Sequence, residues 1–168
     1  DIERMYSRGT VDLRGSATRR QDGGYRFALA GPFFDASPWM DSILDMSGGQ
    51  DVGDAVGGPG DPGPLFDVQV NADRLKLRDN EDIRNTKIVL ALDAGGLRSG
   101  SITGEIDKDK DLSVTIGSSD GVRTVGLRSD DAGFAARVLL KADYLLGGKL
   151  AFDGKFEDGD GQALVTMS

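Results

Sequence analysis

Apolar and polar residues alternate along much of the chain. In several segments every second side chain is apolar, which is the pattern of a strand with one buried and one wet face. Turn-forming sequences separate these segments, among them QDGG at 21–24 and SSDG at 118–121. The pattern predicts hairpins of an antiparallel sheet. The alternating sets are Val11, Leu13 and Ala17; Tyr25, Phe27 and Leu29; Phe66, Val68, Val70 and Ala72; and Leu112, Val114 and Ile116.

Two segments depart from simple alternation. The apolar phase that includes Ala72 slips before it resumes at Leu75 and Leu77, which predicts a bulge or bend near residues 72–74. The segment KIVLAL at 87–92 is apolar at consecutive positions. Such a run predicts a strand that is covered on both faces.

A helix is predicted over residues 130–142. Ser129 or Asp130 can serve as its N-cap, Phe134 and Val138 begin an apolar stripe, and the glycines at 147–148 form a stop signal. After the glycines the period returns to two, which predicts another strand. In that strand Leu150, Phe152 and Phe156 lie on one face, and Lys149, Asp153 and Lys155 lie on the other.

A second short helix is predicted over residues 37–46, with Ser37 as N-cap and Pro38 at the first helical position. The residues that lead into the two helices are similar, Asp-Ala-Ser at 35–37 and Asp-Ala-Gly at 131–133. We therefore consider the hypothesis that one structural unit is used twice.

Residues 48–64, GGQDVGDAVGGPGDPGP, offer little apolar area to bury and are expected to form a flexible loop. The remainder of residues 1–168 is expected to form a single β-rich domain. Because the chain opens on Asp rather than Met, we expect it to be a fragment of a longer protein.

Composition removes several classes of function. The sequence contains no Cys and no His, which excludes Ser-His-Asp and Cys-His catalysis and Cys/His zinc sites. With 28 acidic and 20 basic residues the net charge is −8, so we expect no nucleic-acid partner.

Three candidate sites do not meet the requirements of the chemistry that they suggest. GPGDPG at 58–63 has glycine spacing typical of a phosphate-binding loop, but its prolines remove amide donors and no strand–helix context surrounds it. DKDKDL at 107–112 begins like a calcium loop but lacks the required glycine and the twelfth ligand. Paired carboxylates for glycoside hydrolysis lack an apolar, aromatic setting. We therefore expect no enzyme activity, no catalytic or metal-binding residues and no cofactor.

The remaining feature is apolar surface. Strands with one apolar face must place that face against a second layer, a helix, a protein partner or a lipid chain. An ordinary closed core and an exposed binding face both remain open on this pattern.

The segment RSDDAGFAARVLLKADYLLGGKLAFDGKFEDG at 128–159 resembles the C-terminal AsmA-like region of the AsmA, YhdP and TamB class of bacterial envelope proteins. Residues 25–44 and 66–106 are similar to the strand-then-helix step and the hairpin series of that region. The resemblance implies a mainly β fold, a twisted and curled antiparallel sheet forming an open groove or half-barrel, with two short amphipathic helices. It brings no catalytic motif.

The resemblance also implies a function. Such proteins are anchored to the inner membrane and cross the periplasm, so this chain would be a segment of a lipid-transport or outer-membrane-homeostasis protein whose anchor lies outside it. Its expected partners are phospholipid acyl chains, and envelope proteins are further candidate partners. The alternative is a non-enzymatic structural or protein-interaction module with a closed β core. The candidate lipid-contacting residues are Phe27, Leu29, Val68, Val70, Leu90, Leu92, Val114, Ile116, Leu150 and Phe152.

Overall fold

The computed structural model describes residues 1–38, 64–78, 81–93, 96–119, 121–140, 145–157 and 160–168. Within these ranges the chain forms ten strands of a single sheet and one helix, α1, between the eighth and ninth strands. The strands are β1 Ile2–Ser7, β2 Val11–Arg19, β3 Tyr25–Asp35, β4 Phe66–Lys76, β5 Asp82–Asp93, β6 Gly96–Asp107, β7 Lys110–Ser119, β8 Val122–Ser129, β9 Leu150–Glu157 and β10 Asp160–Met167, and the helix α1 is Ala132–Leu140. A mainly β fold is confirmed.

The strands lie side by side in the order in which the chain forms them. All neighbours are antiparallel except β3 and β4, which are parallel: Tyr25 pairs with Phe66 and Asp35 with Lys76. The expectation of a wholly antiparallel sheet is wrong at this ladder. Parallel neighbours require a long crossover rather than a hairpin turn, and the thirty residues between Asp35 and Phe66 provide the chain length.

The sheet has two distinct ends and two free edges. We call the end at the β2–β3 turn, residues 20–24, the open end, and the end where α1 leaves β8 the capped end. Strands β1 and β10 form the two edges and do not pair with each other. The sheet is therefore open rather than closed on itself.

The predicted bend near residues 72–74 is confirmed by the burial pattern. Ala72 and Leu75 are buried, whereas Asp73 and Arg74 between them are both exposed. The partner strand β5 changes phase at the same level, where Asn85 has a φ of 49° and the β5–β6 register shifts. Because neighbouring strands share the irregularity, the apolar side chains stay on one face on both sides of the bend.

The prediction that residues 87–92 are covered on both faces is wrong. Ile88 is buried and Leu90 half-buried, but Val89 is 39% exposed and Lys87 is fully on the solvent side. Only one face of β5 meets the protein interior. The consecutive apolar residues therefore indicate β-propensity and not two buried faces.

Helix α1 lies inside the range predicted for it, but its N-cap is neither Ser129 nor Asp130. The carboxylate Oδ1 of Asp131 accepts a hydrogen bond of 3.0 Å from the amide of Phe134 at the third helical position, which is the N-cap contact. The Ser129 hydroxyl instead donates to the main-chain oxygen of Asp131 at 2.8 Å. It thereby fixes the turn from β8 into the helix.

The helix predicted over 37–46 lies outside the described residues beyond Pro38. The loop predicted over 48–64 lies outside them up to its last residue, Pro64.

The closed core lies at the capped end. Leu13, Leu75, Ile83 and Val138 are the largest side chains there that solvent does not reach, and they belong to one cluster with Phe134 of α1. The helix thus covers the sheet at one end, while the rest of the same face extends toward the open end.

Candidate functional site

The strand register places all ten predicted contact residues on one face of the sheet, which we call the apolar face. Directly paired residues of neighbouring strands point to the same side. Phe27, Val68 and Leu90 are paired in one row, and the ladders continue that row through Gly100 to Ile116. Each of the other predicted residues lies an even number of positions along its strand from a member of this row or of its continuation on β9, two in most cases and four for Leu150. Because residues two apart in a strand point to the same side, they share the face. They are Leu29, Val70, Leu92, Val114, Leu150 and Phe152.

Burial divides this set in two. Leu29, Val70 and Leu150 are buried and belong to the core cluster. The other seven are half-buried, and they dominate toward the open end. They are Phe27, Val68, Leu90, Leu92, Val114, Ile116 and Phe152, and four of them, Val68, Leu90, Val114 and Phe152, also pack against the core cluster. The apolar face therefore changes from a closed core under α1 to a solvent-accessible surface at the open end.

Aromatic rings stack at the open end where β3 and β4 begin. The rings of Tyr25 and Phe66 have centroids 6.0 Å apart and are tilted by 16°. Those of Phe27 and Phe66 are 6.3 Å apart and tilted by 26°. Offset stacking of this kind holds the rings in defined positions. They form a rigid apolar platform of three side chains at the end that α1 does not cover.

On β9 two further rings lie over a glycine. A Cβ built on Gly154 would come within 2.9 Å of the Phe152 ring and 2.8 Å of the Phe156 ring. Gly154 occupies the same row as Val125, which is buried. The glycine thus allows both rings to lie close to the backbone and to continue the apolar face toward β10.

The opposite face of the sheet is polar. Gln69 and Asn71 of β4 and Ser101 of β6 occupy positions between those of the apolar face. Ion pairs also lie here: Arg128 donates to both carboxylate oxygens of Asp153 at 2.8 and 2.9 Å. Since both partners are more than half exposed, such pairs add little stability, but their charges keep this face hydrated.

Several residues of the apolar face escaped the sequence analysis. Leu127 follows a weak alternation in β8, and Ile102 lies in a serine- and glycine-rich strand. Their pairing identifies them: Ile102 is opposite Ile88 and Val114, and Leu127 is opposite Val114 and Phe152. The sequence could have identified them by counting: once the turn that precedes a strand is placed, every second residue of that strand lies on the apolar face.

Two carboxylates at the capped end are structural in character. Burial disfavours the charged form of Asp131, but hydrogen bonds from the Phe134 amide and from Lys110 Nζ at 2.9 Å outweigh it, so the pKa of Asp131 lies below its ordinary value. Burial likewise opposes ionisation of Asp35, and bonds from Ser37 and Lys76 overcome it, so the pKa of that carboxyl is also lowered. Groups held ionised in this way are poor proton donors at neutral pH.

The acidic turn at 107–112 adopts a hairpin geometry. Asp107 Oδ1 accepts a 2.7 Å bond from the Lys108 amide, Asp109 has a φ of 61°, and Lys110 is paired with Asp131. Within the part of the chain that the structure describes, no three acidic side chains come together as a metal site.

None of the helical segments in the described ranges combines the length and the apolar character that a membrane crossing requires. Comparisons with protein-family models, with curated proteins and with solved structures gave no match for this chain.

Proposed function

We propose that this chain binds phospholipid acyl chains on its apolar face, as a non-enzymatic segment of a lipid-transport or outer-membrane-homeostasis protein of the AsmA-like class, working in the periplasm with its membrane anchor outside this segment. The observation that carries the proposal is the half-buried row of Phe27, Val68, Leu90 and Ile116 on a face whose far end is already closed. Extended apolar surface of this kind needs a partner, because soluble domains rarely leave it bare.

The dimensions of the face suit an acyl chain. From Phe27 on β3 to Ile116 on β7 the half-buried row crosses four strand spacings, which is roughly 19 Å at about 4.8 Å per spacing. One leaflet of a bilayer has a hydrocarbon depth of about 15 Å, half of the ~30 Å core. An acyl chain lying across the strands along this row would thus remain on the apolar face, and each methylene removed from water contributes about 0.8 kcal/mol.

The proposed binding has no fixed position on the apolar face. The row offers apolar side chains and no hydrogen-bonding group, so nothing fixes a chain at one position across the strands. A lipid could then pass from strand to strand while its tails remain shielded.

Photo-crosslinking tests the proposal directly. The purified chain is mixed, in dilute detergent, with phosphatidylcholine that carries a diazirine at the end of an acyl chain. We expect crosslinks on the apolar face, and we expect Phe27→Asp and Ile116→Asp to reduce them several-fold while the protein stays folded, because water already reaches both positions.

Matched controls lie next to these residues on the polar face. Ala28→Asp and Thr115→Asp introduce the same charge on the same strands, at exposed positions that point the other way. These variants should crosslink like the wild type. If they lose as much signal as their neighbours, or if the wild type does not crosslink on the apolar face, the proposal fails.

A second candidate, a protein-interaction module, is favoured by the β10 edge. Residues 161–168 are exposed throughout, and Leu164, Val165 and Met167 are 67%, 51% and 58% exposed. From Gly161 to Met167 the strand carries no charge, so it lacks the usual protection against pairing with another strand. A partner could add a strand here. In that case Leu164→Lys, on the polar face opposite Asp153, would weaken partner binding and leave lipid crosslinking unchanged.

A further inference from the structure

The apolar face contains almost no charge, and what it contains has one sign. In the row of Phe27 and Val68 and in the next row toward the open end, the ionisable side chains of the described residues are Arg19 and Arg123. No carboxylate of the described residues lies in these two rows, although acidic residues outnumber basic ones in the chain, 28 to 20. At the capped end Lys110, two positions from Leu112, shares the face and is paired with Asp131.

Both arginines lie at the open end. Arg19 pairs with Tyr25, which stacks on Phe66, and Arg123 pairs with Phe156. Both are exposed. They therefore border the apolar face where it meets solvent, Arg19 beside the aromatic platform and Arg123 beside Phe156, and neither lies within the core.

These two guanidinium groups differ from other arginines nearby. Arg20 and Arg26 share the carboxylate of Asp67, and Arg128 is held by Asp153. Among the described residues, no carboxylate lies within ion-pair distance of Arg19 or Arg123. Their hydrogen-bonding capacity remains available to a ligand.

From this arrangement we infer that the face selects phospholipids with an anionic headgroup, whose phosphate Arg19 and Arg123 contact at the open end. The inference rests on the proposed function, because the acyl chains occupy the apolar rows between these residues and α1. A guanidinium presents a planar fork of N–H donors that matches two phosphate oxygens, which every phospholipid carries. Selection comes from the rest of the headgroup, because the cationic group of a zwitterionic lipid is repelled by the arginine and finds no carboxylate on the described part of this face.

The two arginines serve separate headgroups. They lie on β2 and β8, six strands apart, or roughly 29 Å across the sheet at about 4.8 Å per strand. A single phosphate cannot span that distance. Lipids that move across the strands would meet one cation near each side of the sheet, with their headgroups along the open end.

Competition on the crosslinking assay tests this inference. Unlabelled phosphatidylglycerol and phosphatidylcholine with identical acyl chains compete for the labelled phosphatidylcholine at low salt. The wild type should prefer phosphatidylglycerol by roughly two- to fivefold, the range expected of one solvent-exposed charge contact per lipid. The double variant R19Q/R123Q should compete equally with both lipids and still crosslink.

The control is R14Q/R128Q, which removes two positive charges from the same two strands on the polar face. It should keep the wild-type preference, because the overall charge change is identical and only the position differs. The inference is overturned if the two lipids compete equally for the wild type, or if R19Q/R123Q still prefers phosphatidylglycerol. In both cases continued crosslinking leaves the proposed function standing. The inference is also overturned if both double variants lose the preference, because the preference would then depend on the net charge of the protein and not on the position of the arginines. Absence of all crosslinking overturns the proposed function instead.

Discussion

Arg78 Nη1 donates a 3.2 Å hydrogen bond to the main-chain oxygen of Val138, sixty residues further along the chain. Val138 belongs to the last turn of α1, where carbonyl oxygens have no partner within the helix. One residue earlier, Arg137 Nε donates to Glu81 Oε1 at 2.6 Å. The turn between β4 and β5 thus holds the C-terminal end of the helix in place, and with it the cover of the closed core.

Replacing Arg78 by Leu should destabilise the protein by about 2 to 3 kcal/mol, because a charge-assisted hydrogen bond is lost and a buried carbonyl is left without its donor. Urea unfolding at pH 7 measures the free energy of unfolding. Arg84→Leu is the control: its ion pair with Asp107 is 3.5 Å long and exposed, and its loss should change stability by less than about 0.5 kcal/mol. Equal losses in the two variants would contradict a special role for Arg78.

The local pattern predicted much of this architecture. Alternation located the apolar face because side chains in a strand point to opposite sides at each step, whatever the partner strand. It therefore placed Phe27 and Val68 on one surface before their pairing was known. The bend at Ala72 was equally visible, since a bulge must shift the apolar phase.

Contacts between distant residues were not predictable in this way. The parallel pairing of Tyr25 with Phe66 depends on the path of the crossover, and the bond between Arg78 and Val138 depends on where α1 finally lies. The N-cap was missed by one or two residues because Ser129, Asp130 and Asp131 are all good caps in isolation. Only the turn geometry selects among them.

Edge strands β1 and β10 were missed for a related reason. They bury little, so neither shows strong alternation, and their register comes from their neighbours. Arg19 and Arg123 could have been found from parity alone, because each lies two positions from an apolar residue of the face, Ala17 and Val125.

Asp131 should stabilise α1 mainly as a hydrogen-bond acceptor. Asp131→Ala removes the bond to the Phe134 amide and should cost about 0.5 to 2 kcal/mol at pH 7. Asp131→Asn should cost less, because its amide oxygen can accept the same bond. Urea unfolding of both variants gives the comparison. Equal losses in the two variants would show that the ion pair with Lys110, which both variants remove, dominates instead.

Lowering the pH should reduce the free energy of unfolding, because the Asp131 carboxylate becomes protonated. Its pKa is lower in the folded state than in the unfolded chain, so its contribution is fully present above the unfolded value of about 3.9 and is lost as pH falls through the folded value. The stability advantage of the wild type over Asp131→Asn should therefore shrink below about pH 4. Urea midpoints at pH 7, 5, 4 and 3 measure it. A difference that persists unchanged at pH 3 would contradict the shift. Asp35 should add a parallel dependence, which Asp35→Asn isolates.

The two regions of the apolar face should respond differently to the same truncation. Leu75 has 0% of its surface exposed in the closed core, so Leu75→Ala should cost about 2 to 5 kcal/mol. Ile116 is half-buried, and Ile116→Ala should cost at most about half as much, because less apolar area returns to water and solvent fills the space.

The change in melting temperature on adding lipid distinguishes variants that lose packing from variants that lose lipid binding. A ligand that binds only the folded state raises its stability according to concentration and affinity. Added phosphatidylcholine should therefore raise the melting temperature of the wild type and of Leu75→Ala by similar amounts, because the core residue does not contact it. The increase should be absent in Ile116→Asp, whose charge lies where the acyl chain would pack, and retained in Thr115→Asp on the polar face. Should Ile116→Asp respond as the wild type does, the half-buried row of Phe27, Val68, Leu90 and Ile116 is not the surface that holds the lipid.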